Sequence, residues 1–215
     1  MGDERPSDTF LVRLVGQYPG RILELVFICA FAISLALAIQ AWAVKPFQIP
    51  SGSMKPTLEI GQRVLVERIS TELGSKPARG EVIVFHPPAG VDGDVCGIPQ
   101  EELDPGRACP EPVPTESQET FIKRVIAVPG DKLKIIDGVP VVNGRPLTGD
   151  WETIPCRPGS CSFPRSIRIP DDHYFVMGDN RPGSDDSRFW GPIPSAWIIG
   201  KAVVTYWPPS RVGGL

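Results

Sequence analysis

Apolar and polar residues are distributed very unevenly along this chain. From Leu25 to Val44, twenty residues pass without a formal charge. At roughly 1.5 Å per helical residue the run reaches about 30 Å, the thickness of a bilayer's hydrocarbon core. Ser34 and Gln40 are its only strongly polar members, and Trp42 stands near one end, where an interfacial indole fits. A helix apolar on every side is hard to enclose in so small a domain, and the run is longer than the apolar core of a cleavable signal peptide. We read 22–44 as a transmembrane anchor in the lipid bilayer, preceded by a short cytoplasmic segment, 1–21.

Beyond Val44 the pattern shortens to apolar stretches separated by turn residues. Segments 63–69 (RVLVERI), 81–86 (EVIVFH), 121–128 (FIKRVIAV), 166–169 (SIRI), 173–178 (HYFVMG) and 197–207 (WIIGKAVVTYW) are rich in Val and Ile and predict strands. In 132–144 (KLKIIDGVPVVNG), Asp137-Gly138 separates two such runs and predicts a hairpin. No amphipathic helix of ten residues follows the anchor. The expected fold is therefore mainly β, with coiled antiparallel sheets over 45–215. Residues 87–119, dominated by Pro, Gly, Asp and Glu, read as a surface insertion between two strands.

Composition narrows the functional classes. A formal charge of −3 argues against a nucleic-acid partner, which selects a basic surface. The 25 prolines and 22 glycines break helices repeatedly, in keeping with strands and turns. Cys29 falls in the anchor, leaving Cys96, Cys109, Cys156 and Cys161 in the soluble part. Cys156 and Cys161 enclose a turn-forming RPGS, so their Cα atoms can come within disulfide reach, and Cys96 with Cys109 would tie the insertion. The rival reading, a four-cysteine zinc site, lacks the usual CxxC pairs, and no metal or cofactor is expected. Disulfides imply an oxidising, extracytoplasmic compartment. Flanking charge does not settle orientation, since Arg13 and Arg21 on one side face Lys45 and Lys55 on the other.

The segment FQIPSGSMKPTL (47–58) raises the question of chemistry, because a serine attacks only when a base takes its proton. The chain has two histidines, His86 and His173, and neither stands in a setting that marks it as that base. A lysine kept neutral by apolar surroundings is the alternative. Lys123 lies inside a strand, with Phe121 and Val125 on its own face. Periodicity leaves two readings of it open: a desolvated base, or an edge lysine whose stem packs while its amine reaches water. A third segment, MGDNRPGSDDSRFWGPIP (177–194), is a polar loop in which Asp186 and Arg188 can pair and Asp179-Asn180 can turn. A calcium loop would need an EF-hand spacing that is absent.

Together, SGSMKPTL, FIKRVIAVPGD and GDNRPGSDDSRFWGPIP, in that order behind an anchor, resemble the bacterial type I signal peptidases, membrane-bound serine proteases that remove signal peptides. The resemblance runs from the anchor to the end of the chain. It implies a signal-peptidase/LexA-like fold of coiled antiparallel sheets behind one transmembrane helix. It also implies Ser53 as nucleophile, Lys123 as general base, and the Ser51 hydroxyl with the Ser53 N–H as oxyanion hole. Ser184 would orient the lysine, with Asp186, Arg188 and Asp179 in support. Small residues before the cut need shallow apolar walls, for which Ile49, Met54, Leu58, Phe121 and Ile122 are candidates; a core role is an equal alternative for each. The implied partners are preprotein signal peptides and the bilayer, near the protein-export machinery, at the outer face of the inner (plasma) membrane. Two other readings stand beside this one: an inactive signal-peptide-binding module, and an anchored processing protease with a dedicated substrate.

Overall fold

The structure, a computed structural model, describes residues 19–91 and 96–215. The segment read as a cytoplasmic N-terminus lies outside the described residues as far as Tyr18. The first element is helix α1, Pro19–Trp42. Proline suits a first helical position, where no N–H is needed. Its stretch Gly20–Leu37 is long and apolar enough to cross a membrane, and its side chains are exposed. The helix does not extend to Val44 as the apolar run implied. Val44 already pairs as a strand residue, and Lys45 precedes Pro46, a position that disfavours helical backbone.

The rest of the chain is built of β1 (Val44–Gln48), β2 (Arg63–Glu67), β3 (Val82–Phe85), β4 (Phe121–Ala127), β5 (Lys132–Ile136), β6 (Val139–Val142), β7 (Arg145–Pro146), β8 (Phe163–Arg168), β9 (His173–Met177), β10 (Ile193–Pro194), β11 (Ile198–Trp207) and β12 (Gly213–Gly214). Among the described residues two single-turn α-helices, α2 (Ile69–Glu72) and α3 (Ser187–Trp190), and several 3₁₀ turns lie between the strands. Every stretch read as a strand from its Val and Ile content overlaps one, although β8 begins three residues before 166–169 and ends at Arg168. The strands that the sequence did not announce are β1, which carries a proline, and the two-residue β7, β10 and β12. Proline in β1 is tolerated because β1 is an edge strand.

One antiparallel sheet runs β1-β2-β11-β3-β4-β9-β10, with β12 also on β11; a second runs β7-β6-β5-β8. The β5–β6 hairpin turns at Asp137 (φ 49°) and Gly138 (φ 78°), with Ile136 opposite Val139. Positive φ at both residues is what a two-residue turn between twisted strands needs, and Asp-Gly supplies it. In the first sheet, Val82 and Val84 enter one apolar cluster while Ile83 and Phe85 enter another. Strand β4 is buried on both faces from Ile122 to Ala127. That double burial is why alternation could not say which way Lys123 points.

The 87–119 segment is only partly the surface insertion expected. Its ends zip together through Ala89 N–H to the Thr115 carbonyl (2.8 Å) and Ser117 N–H to the Pro87 carbonyl (2.7 Å). Cys96 is bonded to Cys109, whose Cα lies 5.7 Å away. Ala108 and Cys109 are buried, and the Cys109 N–H donates to the Arg188 carbonyl at 3.1 Å. Cys156 and Cys161 are likewise bonded, with Cα atoms 6.2 Å apart.

Candidate active site

Ser53 sits in a single 3₁₀ turn, Gly52–Met54, between β1 and β2. Local backbone bonds close this loop on itself: Ile49 N–H to the Gln62 carbonyl (2.9 Å), Gly61 N–H to the Ile49 carbonyl (2.8 Å) and Leu58 N–H to the Met54 carbonyl (2.9 Å). Ile49, Met54 and Leu58, read above as candidate substrate walls, are 2%, 0% and 0% exposed and belong to the core. They are pegs that fix the turn carrying Ser53 from beneath, not walls of an open groove.

Across from the turn, strand β4 presents Lys123, 4% exposed, with its Nζ 2.9 Å from Ser53 Oγ. Burial is the main force on this amine and lowers its pKa to about 8; Asp186 and Asp185 oppose the shift, while Arg188 adds to it. The Phe121 ring, centred 5.0 Å from Nζ, favours the cation, but desolvation outweighs it. At pH 7 about one molecule in ten then carries a neutral amine, against about one in a few thousand at the free-lysine value. In that form the Ser53 hydroxyl can donate to the nitrogen lone pair. The geometry suits proton abstraction from a serine.

The 178–190 loop holds the turn that carries Ser53. The Asn180 N–H donates to the Ser53 carbonyl at 3.0 Å, and its Nδ2 donates to the Gly52 carbonyl at 3.1 Å. Gly178 lies so close that a Cβ there would overlap the Ser53 carbonyl oxygen and the Ser184 hydroxyl. Asp186 accepts Nε and NH2 of Arg188 at 2.7 and 2.9 Å and the Gly178 N–H at 3.0 Å. Arg188 also donates to the Ser184 carbonyl at 2.9 Å, so one buried ion pair ties the two ends of the loop.

These elements border a groove of about 600 Å³, with Pro50, Ser51, Ser53, Phe121, Ile122 and Lys123 among its walls and Glu119 and Asp185 on its rim. A larger cavity, about 670 Å³, lies beside Arg124 and Trp151 and reaches neither Ser53 nor Lys123. The histidines are elsewhere: Nδ1 of His86 is 2.7 Å from the Glu119 carbonyl, Nδ1 of His173 2.7 Å from that of Asp171, and neither borders the groove. No group of three or more His, Cys, Asp or Glu among the described residues could hold a metal ion.

Comparison with known proteins decides the family. Residues 22–207 match the family model described as signal peptidase, peptidase S26. The chain belongs to that family. Among its relatives, a signal peptidase I of Leptolyngbya laminosa is 36% identical over 194 residues, covering 90% of this chain and 84% of that protein. A probable signal peptidase I of Synechocystis is 38% identical over 194 residues, covering 90% and 87%. A crystal structure of a signal peptidase I from Enterococcus faecalis is 24% identical, covers 59% of this chain and 96% of its own, and superposes with a TM-score of 0.37. The chain is thus a serine peptidase of the signal peptidase I type, acting on signal peptides.

Two hydroxyls of the site have these partners in the structure. The Ser184 hydroxyl donates to the Asp185 carbonyl at 3.4 Å, and no hydrogen bond joins it to the Lys123 amine among the described residues. The Ser51 hydroxyl donates to Ser53 Oγ at 3.3 Å. Asp179 does more than shape a turn. It accepts Arg124 Nε at 2.8 Å and NH2 at 2.6 Å, and the Thr57 hydroxyl at 2.6 Å. Arg124 shares the strand of Lys123, and a guanidinium that stays protonated is no candidate base. A cation inside an otherwise apolar strand was the signal that an acid must meet it, but nothing local named Asp179.

With side chains 5% and 0% exposed, Arg124 and Asp179 form a buried pair. Asp179→Ala should therefore destabilise the domain by about 3–5 kcal/mol, because it leaves a guanidinium buried without a counter-charge. Denaturant unfolding measures it. A loss below about 1 kcal/mol would mean that water already solvates Arg124.

Proposed function

We propose that this peptidase cleaves preproteins with a Ser53–Lys123 dyad while anchored in the membrane by α1. The observation that carries the proposal is the 2.9 Å separation of Lys123 Nζ and Ser53 Oγ in a setting that lowers the lysine pKa to about 8. In this reading neutral Lys123 takes the Ser53 proton as Oγ attacks the scissile carbonyl. It then returns that proton to the leaving amine, and an acyl-enzyme forms for water to hydrolyse. The Ser53 N–H and the Ser51 hydroxyl, turned about its own bond from its place on Ser53 Oγ, bind the oxyanion. Phe121 and Ile122 border the groove and form apolar walls for small residues before the cut. Ser184 supports the site by packing against Gly178 rather than by a bond to the amine.

The domain from Val44 onward works on the extracytoplasmic side of the plasma membrane. The two disulfides favour that side, since such bonds persist in oxidising compartments. The test is cleavage of a preprotein with an Ala-X-Ala cut site by the full chain, with mass spectrometry of the fragments. One cut after the second alanine is expected. A full-length chain that leaves several such preproteins intact would instead point to a processing protease with one dedicated substrate.

A further inference from the structure

We propose that the Cys156–Cys161 disulfide positions the nucleophile's turn through Asn180, so that opening the bond with a dithiol lowers turnover while the domain stays folded. The inference rests on the reading of Ser53 as nucleophile. Residues 147–162 run between β7 and β8 without a strand of their own. They nevertheless touch the 178–190 loop, where Ile154 pairs in parallel with Asn180 and the Cys161 sulfur lies 4.0 Å from the Arg181 carbonyl. The Ile154 N–H donates to the Asp179 carbonyl at 2.9 Å, and its carbonyl accepts the Arg181 N–H at 3.1 Å. Asn180 is thus held from both sides by one residue, and it is Asn180 that grips the Gly52 and Ser53 carbonyls.

What holds Ile154 is correspondingly important. Three residues earlier, Trp151 stacks on Arg124 at 4.7 Å. Two residues later comes Cys156, 8% exposed, wedged at the β5–β6 turn. A Cβ on Gly138 would lie 2.9 Å from the Cys156 sulfur and 3.5 Å from Arg181 Cβ. The far end of the five-residue loop is fixed to the same turn, since the Gly138 N–H donates to the Cys161 carbonyl at 3.2 Å. The Gly138 carbonyl in turn accepts Arg181 NH1 at 2.5 Å. The disulfide therefore clamps the 154–161 segment to the turn that also anchors Arg181, the neighbour of Asn180. Without it, the C-terminal hold on Ile154 is reduced to single hydrogen bonds around an irregular chain.

Cys161 is the more exposed of the two, so a reductant's thiolate attacks its sulfur. The S–S bond breaks, and Cys156 leaves as a thiolate and takes a proton. The second thiol of the dithiol then displaces Cys161, which is also protonated. The reductant departs as a cyclic disulfide, two electrons and two protons having passed to the protein.

The experiment uses the full chain in detergent micelles with a preprotein substrate, dithiothreitol as reductant and thiol mapping by alkylation. Opening Cys156–Cys161 should lower kcat roughly ten- to a hundredfold, the upper end being what an ångström-scale misplacement can cost. KM and the acid limb of the pH profile should stay in place, because Lys123 is carried by β4. Reoxidation should restore the rate. The Cys156→Ser/Cys161→Ser double variant should start at the lowered rate and ignore the reductant, while Cys96→Ser/Cys109→Ser should respond to it as the natural chain does. Adding Asn180→Ala to the Cys156/Cys161 variant should cost clearly less than Asn180→Ala alone. Full kcat with both thiols mapped as free overturns the proposal, as does a loss confined to KM or one accompanied by loss of the folded circular-dichroism signal. If Ser53→Ala stays active, the reading of the nucleophile has failed; if it is dead while the reduced enzyme keeps full kcat, only the role of the disulfide has.

Discussion

Lys123→Arg should abolish cleavage across pH 6–10 if, as proposed, Lys123 is the base. Arginine keeps the positive charge and nearly the length of lysine, but its guanidinium does not release a proton in this range. If the residue served only to attract or orient substrate, the charge would suffice and activity would persist. The proposal rests instead on the burial of the Lys123 side chain and the hydrogen-bond distance of its amine from Ser53 Oγ. The variant should match Lys123→Ala in rate, at least about four orders of magnitude below the natural chain. Circular dichroism must show the fold intact, since arginine is bulkier than the buried lysine it replaces. A rate within about tenfold of the natural chain would remove Lys123 from the chemistry and return His86 and His173 to consideration.

Ser53→Ala should fall to the same floor, because in the proposed mechanism Ser53 supplies the attacking atom. The two losses should not add. Once the nucleophile is gone its base has nothing to deprotonate, and residues acting as one unit show this kind of saturation. Ser51→Ala offers the contrast. It removes one oxyanion donor and leaves the Ser53 N–H, so it should cost about two to three orders of magnitude. Equal losses for Ser51→Ala and Ser53→Ala would mean the division of roles between them is wrong. Kinetics on a purified preprotein, scored by fragment mass, separates these outcomes.

Much of the fold could be read from the sequence for a simple reason. Short Val- and Ile-rich stretches between Gly, Pro and Asp have few alternatives to strands, and Asp137-Gly138 has the backbone freedom its turn demands. Elements of two residues carry no such pattern, and β1 was hidden because Val44 continues the apolar run of the helix before it. The site was legible to a different degree. Ser53 and Lys123 were named through the resemblance of three motifs, since β4 is buried on both faces and alternation is silent there.

What stayed hidden depends on packing between distant segments. Arg124 meets Asp179 across 55 positions, and Asn180 reaches Gly52 across 128. No local rule connects such residues, although each belonged to a motif already singled out. Ile49, Met54 and Leu58 show the opposite case. Their apolar character was equally consistent with a groove wall or a core, and only the closed loop from 49 to 62 decides for the core. Ser184 shows that a motif position transfers more readily than a hydrogen bond, because its hydroxyl turns to a neighbouring carbonyl.

The most direct test of the account is the pH dependence of kcat/KM for the full chain on a preprotein, measured from pH 6 to 10. This ratio reports ionisations of the free enzyme. Burial depresses the Lys123 pKa, so the neutral, active form is lost as pH falls, and activity must decline on the acid side. A lysine base gives one acid limb with its midpoint near 8, the value set by desolvation against the pull of Asp186 and Asp185. A limb centred near 6.5, where an unperturbed imidazole titrates, or a rate independent of pH down to 6, would contradict a lysine base.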